Sequence, residues 1–150
     1  MNLIWHFRHF DELHPRELYE ILKLRIEVFV IEQNCLYNEC DGKDFHCGQL
    51  WCTLDGKTIA SSRIVPPGVS YVEPSIGRVV SHPDFRHLKL GHQLMRHSLE
   101  IISNHYGNLS VKISAQSYLK YFYEKWGFEQ VSEEYFEDGL PHMEMLKSRP

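Results

Sequence analysis

The 150 residues predict a mixed α/β domain spanning positions 1–150. Three observations carry that expectation. Apolar side chains recur at helical spacing in some segments and alternate at strand spacing in others. Gly, Pro, Asn and Asp punctuate those segments at short intervals. No internal repeat, low-complexity tract or linker divides the chain.

The elements follow in the order β-α-loop-β-β-β-α-β-α-β-β. Residues 2–7 alternate as a short strand. Pro15 suits the first turn of a helix, and Leu18, Ile21, Leu22, Val28 and Phe29 then recur at helical spacing. Arg25 falls beside that apolar stripe, where a partly buried ion pair accounts for it. From Glu32 to Gly48 periodicity fades into a long loop with room for a short helical piece. Strands at 49–54 and 58–65 join through Asp55-Gly56, a two-residue hairpin signal. A strand at 75–81 is broken by His82-Pro83-Asp84. Leu90, Leu94, Met95, Ser98, Leu99 and Ile102 outline an amphipathic helix that stops before Gly107. Leu109 to Ala115 alternates as a strand, 117–126 is helical up to Gly127, and strands at 128–136 and 142–147 flank the turn at 137–141.

Composition excludes several classes. The chain is 43% hydrophobic and 24% charged, with eight Phe, eight Tyr and three Trp for a core, as in ordinary globular domains. A net charge of −4 provides no global basic field for nucleic acid or an anionic membrane. The N-terminus lacks the apolar h-region of an export signal, and no apolar run reaches the roughly 18 residues of a membrane span. A cytoplasmic address is the expectation. The four cysteines, at 35, 40, 47 and 52, lack the short knuckle spacing of structural zinc sites. They are expected as free thiols. His82, His87, His92 and His97 recur every five residues, but five helical steps turn a side chain by about 140°, so His92 and His97 diverge and no metal is expected. Asp41 and Asp44 offer too few spaced oxygens for calcium and suit a solvated loop.

Two segments carry chemistry. Val79 to Gly91 runs from a strand through a tight loop into a helix start, where backbone amides without intrahelical partners attract phosphate. About thirty residues later, Tyr121-Phe122-Tyr123-Glu124-Lys125-Trp126-Gly127-Phe128 ends a helix with aromatic side chains and a Gly stop. With Arg86 leading the loop, these residues resemble the GNAT superfamily of N-acetyltransferases. The runs 24–35, 41–44, 76–80, Ala115-Gln116 and 137–142 resemble its ElaA family across nearly the whole chain.

That resemblance implies a strongly twisted mixed sheet with splayed central strands and flanking helices. Acetyl-coenzyme A would lie in the cleft as co-substrate. Its pantetheine arm would pair with the backbone of Val79, Val80 and Ser81, and its diphosphate would rest on amides from His87 through Leu88, Lys89, Leu90 and Gly91 to His92. Gln116 stands near the cofactor position of the superfamily. Tyr123 matches the tyrosine that protonates the departing thiolate. Arg86 and Gly91 fit the superfamily loop, but Lys89 stands where its middle Gly belongs and His87 where another Gly is frequent. Both restrict φ, and Lys89 adds a cation.

The remaining partner is an amine. An alkylammonium of pKa about 10.4 must lose its proton, at about 4–5 kcal/mol near neutral pH. A backbone amide near Val80 suits the developing oxyanion. Glu32 and Gln33 at the acceptor mouth, and Glu137, Asp138 and His142 opposite, are the candidates for substrate binding or for the base, and no spacing singles one out. A homodimer is compatible with the sequence. The second functional class is a non-catalytic acyl-coenzyme A sensor or docking module. The altered loop keeps that class open, and the retained Tyr123 favours the enzyme.

Overall fold

A computed structural model describes residues 2–150 of the chain. Strand β1 (Leu3–His9) leads to helix α1 (Pro15–Arg25). The start of α1 is fixed by Pro15 and by His14, whose ring accepts the Arg16 amide while Glu17 accepts the amide of His14 at 2.8 Å. At Arg25 the helix widens into a π-helical segment, Ile26–Glu32. There the Gln33 amide reaches back to the Val28 carbonyl and the Cys35 amide to Val30, five residues each. Apolar periodicity predicted an ordinary helix here and carried no sign of that widening.

Strands β2 (Gly48–Leu54) and β3 (Lys57–Val65) are joined by Asp55 and Gly56, whose φ values of 50° and 83° suit a two-residue hairpin turn. With β4 (Ser75–Ser81) they complete an antiparallel sheet in the order β1-β2-β3-β4. Helix α2 (Leu90–Tyr106) then crosses to β5 (Val111–Gln116), α3 (Lys120–Glu124), β6 (Glu129–Gln130), β7 (Tyr135–Glu137) and β8 (Leu140–Lys147). In the second sheet the order is β5-β8-β6, and β7 also pairs with β8.

The twisted sheet thus consists of two antiparallel sheets laid edge to edge. Their facing edges, β4 and β5, meet near their starts, where the Lys112 amide donates to the Pro74 carbonyl at 3.1 Å. Beyond that point they form the splayed central pair. Leu50, Ile59, Leu90 and Leu94 pack α2 on the first sheet, and Met95, Ile102, Ile113, Phe128 and Met145 pack it on the second. One helix therefore braces both sides of the seam.

Two predicted elements are shorter than their sequence pattern. The helix expected at 117–126 is a 3-10 turn, Ser117–Leu119, followed by α3. Its end tightens because the Trp126 and Gly127 amides each reach back only three residues, with Gly127 at φ 90°. The strand expected at 128–136 divides into β6 and β7. Between them the Ser132 hydroxyl accepts the Glu144 amide at 2.8 Å, taking over a bond the ladder would have supplied. Strand β4 carries an irregularity too. Its register against β3 passes from Ser61↔Val80 to Arg63↔Gly77, and Arg78 sits at φ 52°.

Candidate active site

The seam opens into a cavity of about 1040 Å³ lined by Val79, Val80 and Ser81 from β4, Gln116 from β5 and Tyr123 from α3. Because β4 and β5 are edge strands, their facing backbone groups have no ladder partner along this stretch. An extended, amide-bearing molecule would find a strand's worth of hydrogen-bonding groups there. A smaller hollow of about 170 Å³ continues between β4, α2 and α3, lined by Val79, Gly91, Leu94, Phe122 and Tyr123 among others.

The loop preceding α2 is a 3-10 turn, Pro83–Leu88, started by Pro83 and by the His82 ring, which accepts the Asp84 amide at 3.1 Å. Lys89 follows at φ 53°, in the left-handed region. That is the conformation glycine adopts without strain, so the structure gives the physical reason a Gly suits this position. The Lys89 amide donates to the Arg86 carbonyl, and the first open amides belong to the α2 turn beginning at Leu90. The Leu90 side chain is buried, whereas His87 is exposed. His92 turns toward Phe122 and Trp126 while His97 packs on Trp5, so the two histidines do diverge. A methyl group at Gly91 would contact only the Phe122 ring, at 3.5 Å, and would intrude on the smaller hollow.

Arg86 and Glu32, proposed for different halves of the site, form an ion pair across the cavity wall. Gln33 lines the wall beside Glu32. The π-helical widening presents this end of the helix to the cavity, along with Val28 and Phe29, which sequence reasoning assigned only to the apolar stripe.

Tyr123 is buried in the wall, packed edge-on against Phe122 and Phe128. Among the described residues its hydroxyl has no hydrogen-bond partner. Burial, with a smaller contribution from Tyr118, pushes its pKa up to about 12. The group is therefore a neutral donor across the physiological range.

The opposite wall comes from the β7–β8 hairpin, whose turn residues Asp138 and Gly139 have φ of 52° and 78°. His142 is buried at the start of β8, opposite Gln116 in the register. Its Nδ1 lies 2.8 Å from the Leu140 carbonyl. Its Nε2 lies 3.4 Å from the Glu137 carboxylate. Each ring nitrogen of His142 therefore faces an acceptor, Nδ1 the Leu140 carbonyl and Nε2 the Glu137 carboxylate. Asp138 closes this wall onto the long loop through its carbonyl, which accepts the Cys35 thiol at 3.1 Å.

Behind the cavity lies a charge cluster that reaches its wall through Asp41, Arg63 and Arg78. Arg25 is wholly buried and pairs with Glu39 and, at 2.8 Å, with Asp44. Arg63 makes two hydrogen bonds to Asp41, of 2.9 and 3.0 Å, and Arg78 reaches Glu39 at 2.8 Å. Three guanidiniums thus face three carboxylates. The solvated-loop expectation holds for Asp41, which stays exposed while it pairs with Arg63, and is corrected for Asp44, which is buried because two arginines behind it compensate the cost of leaving water. Burial alone would raise the Asp44 carboxyl, and the hydrogen bond and charge of Arg25 outweigh it and hold the pKa low. Arg63 and Arg78 also line the cavity, a role their sequence neighbourhood did not announce.

All four cysteines are free, with Cys47 and Cys52 buried and Cys40 exposed. Among the described residues no group of three or more His, Cys, Asp or Glu is placed to hold a metal ion. No described helix is long and apolar enough to cross a membrane.

Comparison with known proteins matches this arrangement. The acetyltransferase (GNAT) domain family covers residues 24–149. Protein ElaA of Escherichia coli is 38% identical over 146 residues, 95% of each chain. Its crystal structure superposes with a TM-score of 0.91 over 98% of this chain and all of that one, at 36% identity. An acyl-CoA N-acyltransferase from Pseudomonas aeruginosa superposes with a TM-score of 0.94 at 39% identity, covering 98% of this chain and 100% of the other. With two sheets splayed at β4 and β5, a loop-to-helix start beside them and near full-length similarity to ElaA, the chain belongs to the GNAT acetyltransferase family.

Proposed function

We propose that this protein moves an acetyl group from acetyl-coenzyme A to a primary amine, on a small molecule or a peptide, by direct attack in a ternary complex. The observation that carries this reading is the unpartnered Tyr123 hydroxyl in a cavity walled by two free strand edges. A hydroxyl that lines the cavity without a partner in the protein is free to donate to a reacting group, a use that storing or sensing the cofactor does not require.

The residues fit the co-substrate. The free edge of β4 at Val79, Val80 and Ser81 suits the amide-bearing arm, and the open amides from Leu90 onward suit the diphosphate, with Gly91 keeping the hollow clear. Acetyl-coenzyme A supplies the acetyl thioester. In the reaction a C–N bond forms, the C–S bond breaks, and the proton lost by the amine balances the thiol released. In this reading the Glu137–His142 pair, 3.4 Å apart on the cavity wall, takes the proton the amine loses. A backbone amide on the β4 edge donates to the oxygen as charge develops. Tyr123 donates to the sulfur. With its pKa near 12, full transfer to a thiolate near 8.5 is uphill by about 5 kcal/mol, so its main role is a hydrogen bond that strengthens as the sulfur becomes anionic.

The test is release of free coenzyme A from acetyl-coenzyme A in the presence of a panel of primary amines. Amine-dependent release supports the enzyme. Tight cofactor binding without release for any amine selects the sensor instead.

A further inference from the structure

The Arg86–Glu32 pair joins the cofactor half of the site to the acceptor half. Glu32 ends the π-helical segment, and Arg86 lies in the turn before α2. Both line the same cavity. Their side chains remain 48% and 38% exposed, in contrast to the buried Arg25–Glu39 pair at 1% and 2%. An ion pair so open to water contributes at most about 1 kcal/mol, so a diphosphate can displace the carboxylate. A buried pair could not exchange in that way, because separation would strand two charges in the interior. Among the described residues neither Arg86 nor Glu32 has a second ion-pair partner, so a released Glu32 becomes a free anion in the cavity wall.

We infer that Arg86 exchanges partners, from Glu32 in the free protein to the cofactor diphosphate in the complex, and that the freed Glu32 carboxylate then receives the ammonium group of the acceptor. The inference rests on the acyltransferase reading and adds an order to it: cofactor first, amine second. Glu32 holds the cation at the mouth before the Glu137–His142 pair takes its proton. By linkage, the amine strengthens cofactor binding by the same factor as the cofactor strengthens amine binding.

Isothermal titration of coenzyme A into wild type, Glu32→Gln, Arg86→Gln and the double variant tests the exchange. Both side chains are solvent-exposed, so the variants should fold. Glu32→Gln is expected to bind coenzyme A about two- to fivefold more tightly, because no carboxylate competes for Arg86. In the Arg86→Gln background the same substitution should change nothing. Unchanged or weaker binding by Glu32→Gln would overturn the exchange, and so would a gain that persists without Arg86, since that gain is only a general charge effect. The acceptor half is read by NMR titration of n-butylamine. Coenzyme A should tighten its binding to wild type and not to Glu32→Gln, and equal effects on the two proteins would remove Glu32 from the acceptor site. Failure of wild type to bind coenzyme A at all would instead sink the acyltransferase reading on which the exchange depends.

Discussion

Tyr123 combines two properties that are rarely found together, burial and a hydroxyl with no bond to spend. Replacing it by Phe deletes an oxygen that stabilises nothing in the free protein, so folding and cofactor affinity should be unchanged within about 0.5 kcal/mol. Turnover should fall on the order of 10²-fold, and single-turnover kinetics of Tyr123→Phe would show the loss in the chemical step. Since the hydroxyl stays protonated up to about pH 12, an alkaline decline in the wild-type rate below that range has another source. Lys89 presents the opposite case, a residue whose backbone and side chain make conflicting demands. At φ 53° its backbone suits Gly, while its ammonium suits a diphosphate. Lys89→Gly should therefore leave the melting temperature level or raise it, yet weaken cofactor binding and flatten its salt dependence. Tighter binding by the variant at every salt concentration would show that the ammonium makes no contact.

The long loop after the π-helical segment is held by charge, with little apolar packing of its own. Arg25, Arg63 and Arg78 fasten Glu39, Asp41 and Asp44 to α1, β3 and β4. Arg25→Met should destabilise the protein by about 3 kcal/mol or more in urea unfolding, because Glu39 and Asp44 stay buried with fewer partners. The loop is also the acid-sensitive element. Burial raises the Asp41 carboxyl, but the hydrogen bonds and charge of Arg63, with Arg78 behind, outweigh it and hold the pKa at about 2. Its folded pKa lies below its unfolded value, so this stabilisation is complete above about pH 4 and disappears as pH falls toward 2. Asp41→Asn should flatten the stability–pH curve in that window, and a parallel curve would exclude the coupling. These features mark what the sequence could express at this scale. Arg25 beside an apolar stripe signalled an ion pair. Its partners, 14 and 19 residues away in a loop without periodicity, carried no pattern that fixed the pairing. The π-helical turn was equally silent, since one extra residue of rotation leaves the apolar composition as it was.

Across the whole molecule, the cavity wall built from contiguous sequence was the wall that could be anticipated. Residues 79–92 and 121–128 are local runs in which strand, turn and helix signals occur in order, and from them Val79, Val80, Ser81, Arg86, Gly91, Phe122 and Tyr123 line the cavity or its smaller continuation. The other walls of the cavity come from the π-helical segment, the long loop, β3 and the β7–β8 hairpin, and only tertiary packing brings Glu32 to Arg86 or Cys35 to Asp138. The order of strands and helices along the chain was legible, but their division into two antiparallel sheets was not, and between β6 and β7 the Ser132 hydroxyl takes the place of ladder pairing.

The unsealed edges of β4 and β5 have a consequence for the protein in solution. A gap that accepts an extended ligand accepts any extended chain, including a strand from a second copy, and unpaired edges are the usual templates for aggregation. Coenzyme A would then act as a plug against self-association as well as a reactant. Light scattering at rising protein concentration should show cofactor-free protein growing particles where the saturated protein stays dispersed. If both samples scatter alike, the Lys112–Pro74 contact and the surrounding side chains already close the seam to other chains.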